Sequence, residues 1–109
     1  MPSDTDIFEQ LRQELRRGTL ILAVLAQLRV ERYGYGLRQA LSLVGVEIDE
    51  GALYPMLRRL ESQGLLSSEW REEDRRKKRF YRLSPEGEAV LARLADEWRA
   101  INTALQPLL

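Results

Sequence analysis

The 109-residue sequence contains no cysteine and no histidine. Without cysteine there are no disulfides and no thiolate metal sites; without histidine the commonest zinc ligand and the usual general base are missing. Most hydrolytic and metal-assisted chemistry loses its tools, and neither a metal site nor a cofactor is expected. Long hydrophobic runs are lacking too. The longest, Leu20 to Ala26, falls far short of the ~18 residues a membrane span needs. The opening MPSDTD has no basic-then-apolar leader layout, so a cytoplasmic location without a membrane partner is expected. A net charge of zero, taken as a total, argues against a polyanionic partner.

What is present is ordinary for one folded domain: 44% hydrophobic and 31% charged residues, enough for a single modest core. The charge is unevenly spread. Residues 1–48 hold six acids and six bases, and 49–68 three and two. Residues 69–83 hold four acids and seven bases, and 84–109 four and two. One segment is therefore basic.

Phe8, Leu11 and Leu15 recur at three and four, followed by LILAVLAQL, which predicts a helix over 5–31 with Gly18 a candidate bend. YGYG at 33–36 reads as a turn, after which Leu37, Leu41 and Val44 share a face of a short helix ending near Gly45. Asp49 suits the N-cap of a third helix with Leu53, Leu57 and Leu60 on one stripe, stopped by Gly64 with Leu65 packed back on Leu60. Pro55 is the awkward residue there, since it deletes the bond to the carbonyl of Gly51. LLSSEW and RFYRL flank REEDRRKK, a β-hairpin pattern with a long tip. Ser84 and Pro85 open a last helix carrying Leu91, Leu94, Trp98, Ile101, Leu105 and Leu108 at alternating spacings of three and four.

Helix, helix, helix, hairpin is the order of a winged helix-turn-helix, so the expected fold is mainly α with a small β-hairpin. Residues 1–83 form the winged-helix part including the N-terminal helix, and 84–109 a dimerisation helix of the same structural unit. The basic segment falls on the wing, where Arg75, Arg76, Lys77, Lys78, Arg79 and Arg82 follow one another without an intervening acid. Such a hairpin suits a phosphate backbone; equally, a charge run is often a solvated loop, and Glu72, Glu73 and Asp74 could offset part of it. On the third helix Tyr54 and Arg58, four apart, share a face. Arg58 can read guanine or clamp a phosphate, and the spacing leaves both open. Arg59 reads better as a solvent-facing residue. The candidate set contacting double-stranded DNA is Tyr35, Glu50, Tyr54, Arg58, Arg75, Arg76, Lys77, Lys78 and Arg79.

The seam of the last helix spans only about two and a half heptads, too few to stand alone. The face bearing Phe8, Leu11 and Leu15 is available to complete it, which predicts a homodimer of terminal helices through Phe8, Leu11, Leu15, Leu91, Leu94, Trp98, Ile101, Leu105 and Leu108. Paired Trp98 rings could sandwich a planar hydrophobic effector, or simply fill the interface.

GTLILAVLAQL, GYGLRQAL, EGALYPMLRRLESQGLL, SEW and KKRFYRLSPEG, in this order, resemble the PadR family of transcriptional regulators over roughly residues 17–98. The LYP, RLE and GL elements at 53–55, 59–61 and 64–65 are similar to that family's recognition helix, where Pro55 is tolerated, and RFYRL is similar to its wing. The resemblance implies a homodimer on a palindromic operator, usually a repressor released by a small molecule, in the compact branch with one C-terminal helix. Two departures stand out: acids at the wing tip where the family often has glycines, and Phe80 where tyrosine is common. An enzyme is not expected, because the one acid cluster, Glu72 to Asp74, sits on a hairpin tip, and Gly34 and Gly36 form a lone GxG. The rival is a protein-binding winged helix that has lost DNA, which zero net charge would suit.

Overall fold

The computed structural model describes residues 3–109. In chain order the elements are α1 (Asp4–Gln27), β1 (Arg32–Tyr33), α2 (Gly34–Leu43), α3 (Glu50–Ser62), β2 (Leu66–Glu73), β3 (Arg76–Leu83) and α4 (Pro85–Leu105), followed by a 3-10 turn at Gln106–Leu108. The strands form one antiparallel sheet in the order β1-β3-β2. Among the described residues no helix is long and apolar enough to cross a membrane.

Local chemistry sets the helix ends. Ser3 and Asp6 form a reciprocal capping box at the start of α1, each side chain accepting the other's backbone N–H. The helix then runs without interruption through Gly18 to Gln27, ending four residues earlier than expected. Asp49 caps α3 by accepting from Ala52 N–H at 2.7 Å. Gly64, at φ +82°, ends it: Leu65 N–H reaches Leu60 C=O at 3.0 Å and Gly64 N–H reaches Glu61 C=O at 2.9 Å. Pro55 stays inside α3 because Gly51, whose carbonyl loses its donor, lies exposed in the first turn.

Three expectations need correction. YGYG is not a free turn: Arg32 and Tyr33 pair with Tyr81 and Phe80 as a third strand, and Gly34 begins α2 directly. Val44 lies beyond the end of α2 and is exposed, its place against the core taken by Val46 and Ile48. The hairpin has no long tip. Its ladder continues to Glu73↔Arg76, leaving only Asp74 and Arg75, at φ 53° and 65°, to turn the chain. Positive φ at both central residues is the pattern of a type I′ turn, whose twist suits a tight hairpin. The polar stretch reads as loop by composition but pairs as strand, with Glu72 opposite Lys77 and Glu73 opposite Arg76 in the register of the ladder.

One buried cluster joins every helix to the sheet. Val24, Leu25 and Leu28 meet Leu37 and Leu41 of α2, Leu53, Leu57 and Leu60 of α3, Leu66 and Tyr81 of the hairpin, and Leu91 of α4. Both ends of the molecule leave this core. Residues 3–19 are exposed throughout, as is most of α4 after Leu91. The radius of gyration is accordingly 16.2 Å, against about 13 Å for a compact chain of this length.

The base of the hairpin is locked to α3 and α4 at one junction. Ser84 donates through Oγ to Gly64 C=O at 2.6 Å and through N–H to Leu65 C=O at 3.0 Å, and its Oγ also accepts from Gly87 N–H at 2.9 Å. Gly87 lies so close that a Cβ there would strike the Leu65 carbonyl oxygen and come within 2.7 Å of Leu83 Cδ1. Gly87→Ala should therefore lower stability by about 1–3 kcal/mol through overpacking against backbone. Urea unfolding checks this, and an unshifted midpoint would contradict so tight a junction.

Candidate nucleic-acid interface

The outward side of α3 and the hairpin bound a groove of about 330 Å³, lined by Tyr33, Gly34, Tyr54, Arg58, Trp70, Lys77, Lys78, Arg79 and Tyr81. Four of these residues are cations, four are aromatic and none is an acid. Arg58 and Tyr54 come from α3, whose Leu53, Leu57 and Leu60 face the core, so the stripe read from sequence also places the donors. The Tyr54 ring lies against Gly34, where a Cβ would come within 2.6 Å of Cε1 and 2.8 Å of Cζ. Gly34 thereby lets α2 approach α3 closely and fixes the Tyr54 hydroxyl at the groove wall.

Strand pairing sorts the cations of β3. Successive side chains alternate between faces, so Lys77 and Arg79 share the side of buried Tyr81, whereas Arg76, Lys78 and Arg82 share that of Phe80. Lys78 rests its ammonium 4.4 Å from the centre of the Tyr33 ring and 3.5 Å from Glu73, which fixes it at the groove edge. With Tyr33, Tyr35, Asp74 and Arg76 it also lines a second hollow on the other side of the wing. The Tyr35 hydroxyl accepts from Gln39 Nε2 at 3.1 Å.

Arg79 is not a free cation. Its Nη2 is 2.9 Å from Glu61 Oε1 and its Nε donates to Ser68 Oγ at 2.9 Å, while Ser68 Oγ donates in turn to Glu61. Glu50 stands apart, in the first turn of α3, paired with Arg38 at 3.2 Å. Arg75 sits in the turn, and neither it, Arg76, Lys77 nor Arg58 has an ion-pair partner among the described residues. The expected set is thus split: Tyr54, Arg58, Lys77, Lys78 and Arg79 converge, Tyr35, Arg75 and Arg76 flank them, and Glu50 does not join.

Sequence reasoning passed over Tyr33, Trp70 and Glu61. Period-two spacing from Leu66 through Ser68 to Trp70 would have placed Trp70 on the α3 side, where its ring lies 5.6 Å from the Arg79 guanidinium. On the opposite face Arg71 bridges Glu31 and Glu69 and stacks 4.7 Å from the Phe80 ring centre. The hydrogen bond from Arg71 holds the Glu69 carboxyl below its usual range. Burial pushes the Tyr81 phenol up, against the pull of Arg79.

Of the apolar terminal residues expected at a dimer seam, all but Leu91 are exposed in the single chain. Phe8, Leu11 and Leu15 on α1 and Leu94, Trp98, Ile101, Leu105 and Leu108 toward the C-terminus are exposed. Leu91 is 2% exposed, because α4 first crosses the protomer core there, and it leaves the seam. Where α1 and α4 diverge, Leu15, Ile21, Leu22, Leu94, Trp98 and Ile101 help to line an apolar groove of about 470 Å³.

This architecture has known counterparts. Residues 21–93 match the model of the transcriptional regulator PadR-like family. The chain is 49% identical over 79 residues to the transcriptional regulator Rv3488 of Mycobacterium tuberculosis, an alignment covering 72% of this chain and 71% of that protein. It superposes on a PadR family transcriptional regulator from Eggerthella lenta with a TM-score of 0.90 and 42% identity, over 95% of this chain and 93% of that one. Against a PadR-like transcription factor from Bacteroides fragilis the TM-score is 0.76 at 28% identity, covering 92% and 99%. A winged helix matched in sequence and fold to regulators along most of its length is a DNA-binding protein and not an enzyme: the chain belongs to the PadR-like family of transcriptional regulators.

Proposed function

We propose that the chain acts as a homodimeric repressor that binds a palindromic operator through α3 and the wing and is released by a flat hydrophobic ligand held between the terminal helices. The observation that carries the dimer is the first half of α1. Residues 4–19 form helix while exposed throughout, although an isolated helix of that length is marginal in water. Phe8, Leu11 and Leu15, each more than half exposed, need a second surface. The exposed stripe of α4 from Leu94 to Leu108 offers one, and an antiparallel exchange between two copies covers both.

A two-fold axis between the terminal helices presents two recognition helices to the same side of a duplex, at half-sites about 34–36 Å apart. Arg58 and Lys77, free in the groove, and Arg75 and Arg76 at the tip are the residues assigned to DNA, with the Tyr54 hydroxyl as a neutral donor. Arg79 and Glu50 are withdrawn from that role because carboxylate and guanidinium partners already hold them. Repression requires only occupancy of the operator, and the described elements are all used in core, DNA surface and apolar stripe.

Trp98 is 45% exposed beside the apolar groove. A dimer bringing two copies together would provide stacking faces for one planar molecule, and a ligand wedged there would change the separation of the two recognition helices.

Three measurements decide these points. Lys77→Ala should weaken binding to every duplex and lower the slope of log affinity against log salt by about 0.9, the increment of one phosphate; an unchanged slope removes Lys77 from the backbone contact. Leu11→Glu should shift the sedimenting species from dimer to monomer, with lower helix content by circular dichroism, and a persisting dimer would refute the assigned interface. Planar cationic dyes should bind the wild-type dimer with a change in tryptophan emission and lose at least about tenfold in affinity with Trp98→Ala, the scale of one lost aromatic stack; equal binding by both proteins excludes Trp98 from the ligand site.

A further inference from the structure

The clamp formed by Glu61, Ser68 and Arg79 is given no contact with DNA, although Arg79 lines the groove, and it joins the two parts that carry that surface. Among the described residues it is the only ion pair linking α3 to the hairpin. It is also partly withdrawn from water, the Glu61 side chain being 25% exposed and that of Arg79 37%. Three hydrogen bonds close it: Arg79 donates to both Glu61 and Ser68, and Ser68 donates to Glu61. The guanidinium also lies 5.6 Å from the ring centres of both Trp70 and Tyr81. A planar fork held by two acceptors and close to two rings has little freedom to swing.

Its place along the hairpin gives this fixity a use. Below the clamp, Tyr81 and Leu66 are in the core; beyond it, the strands run out to the turn at Asp74 and Arg75 without buried residues. Arg79 and Asp74 are five positions apart along the chain, about 16 Å of reach. A 10° change in the angle at which the hairpin leaves α3 would move the tip cations by about 3 Å, enough to break a hydrogen bond to a phosphate.

We propose that Glu61 is a positioning residue for DNA recognition: through Arg79 and Ser68 it fixes the wing relative to the recognition helix, so that Arg58 and the wing cations meet the same duplex in one register. The inference rests on the DNA-binding surface proposed above. It assigns Glu61 no contact with DNA, and it makes a carboxylate that repels phosphate a contributor to discrimination.

The sequence has two tryptophans, so Trp98→Phe leaves Trp70 as the sole reporter of wing motion. In DNA-free protein, Glu61→Gln should hasten the local fluorescence depolarisation of Trp70, and Ser68→Ala, which removes only a hydroxyl, should do so less. Preference for a duplex selected by the wild type over a scrambled one should fall about fivefold in Glu61→Gln, with a shallower salt slope because the loosened wing leaves some of its phosphate contacts unmade. If Glu61 merely neutralises Arg79, the same variant will bind both duplexes more tightly and its slope will steepen by about 0.9, which overturns the proposal. So does an unchanged preference in both variants, whatever the depolarisation shows. A wild type without any preference among duplexes sinks the operator reading itself, a result read before any variant is made.

Discussion

The leucine cluster that α1, α2, α3, the hairpin and α4 all enter sets the terms for the rest of the molecule. Each of its large side chains withdraws apolar surface worth about 1.5–3 kcal/mol, and none of the elements contributing them has a second core of its own among the described residues. Leu28 shows how far this reaches. Its side chain is fully buried just beyond the end of α1, and its carbonyl accepts the Leu83 N–H at 2.8 Å, so the last residue of the wing is fixed to the first helix. The surface bearing Arg58, Lys77 and Trp70 is consequently the outer side of a packed layer. Its geometry follows from leucines that never touch it.

Much of this was legible because the physics is local. The stripe Leu53, Leu57, Leu60 at helical spacing announced both the buried face of α3 and the opposite face bearing Tyr54 and Arg58. Asp49, Gly64 and the Ser84–Pro85 pair marked boundaries because capping is decided by neighbours three or four residues away. What failed to show depended on partners far along the chain. Arg32 and Tyr33 become a strand only because β3 passes beside them, and no periodicity can be read in two residues. Leu91 has the same spacing as Leu94 and Trp98, yet it faces inward because α4 crosses the core before leaving it. The length of the hairpin was hidden for another reason: polar composition was weighed above the opposite-charge pairs that the ladder creates.

The charge pattern of the wing repeats that lesson at the scale of single side chains. Arg75 to Arg79 look equivalent as a run, but strand alternation and the presence or absence of partners separate them. Lys77 is free in the groove, Lys78 is held over Tyr33, and Arg79 is committed to Glu61 and Ser68. A net charge of zero is compatible with a surface for polyanions because acids such as Glu31, Glu61 and Glu73 are each paired with an individual cation, while none of them lines the groove itself.

The order β1-β3-β2 has one more effect. It leaves β2 as an edge strand of eight residues with open backbone groups along one side, the kind of template on which stray chains can add and precipitate. Four of those residues, Glu69, Arg71, Glu72 and Glu73, are charged. Two such edges brought together would set carboxylates against one another, and sheet-to-sheet aggregation is blunted by the same acids that complete the hairpin ladder.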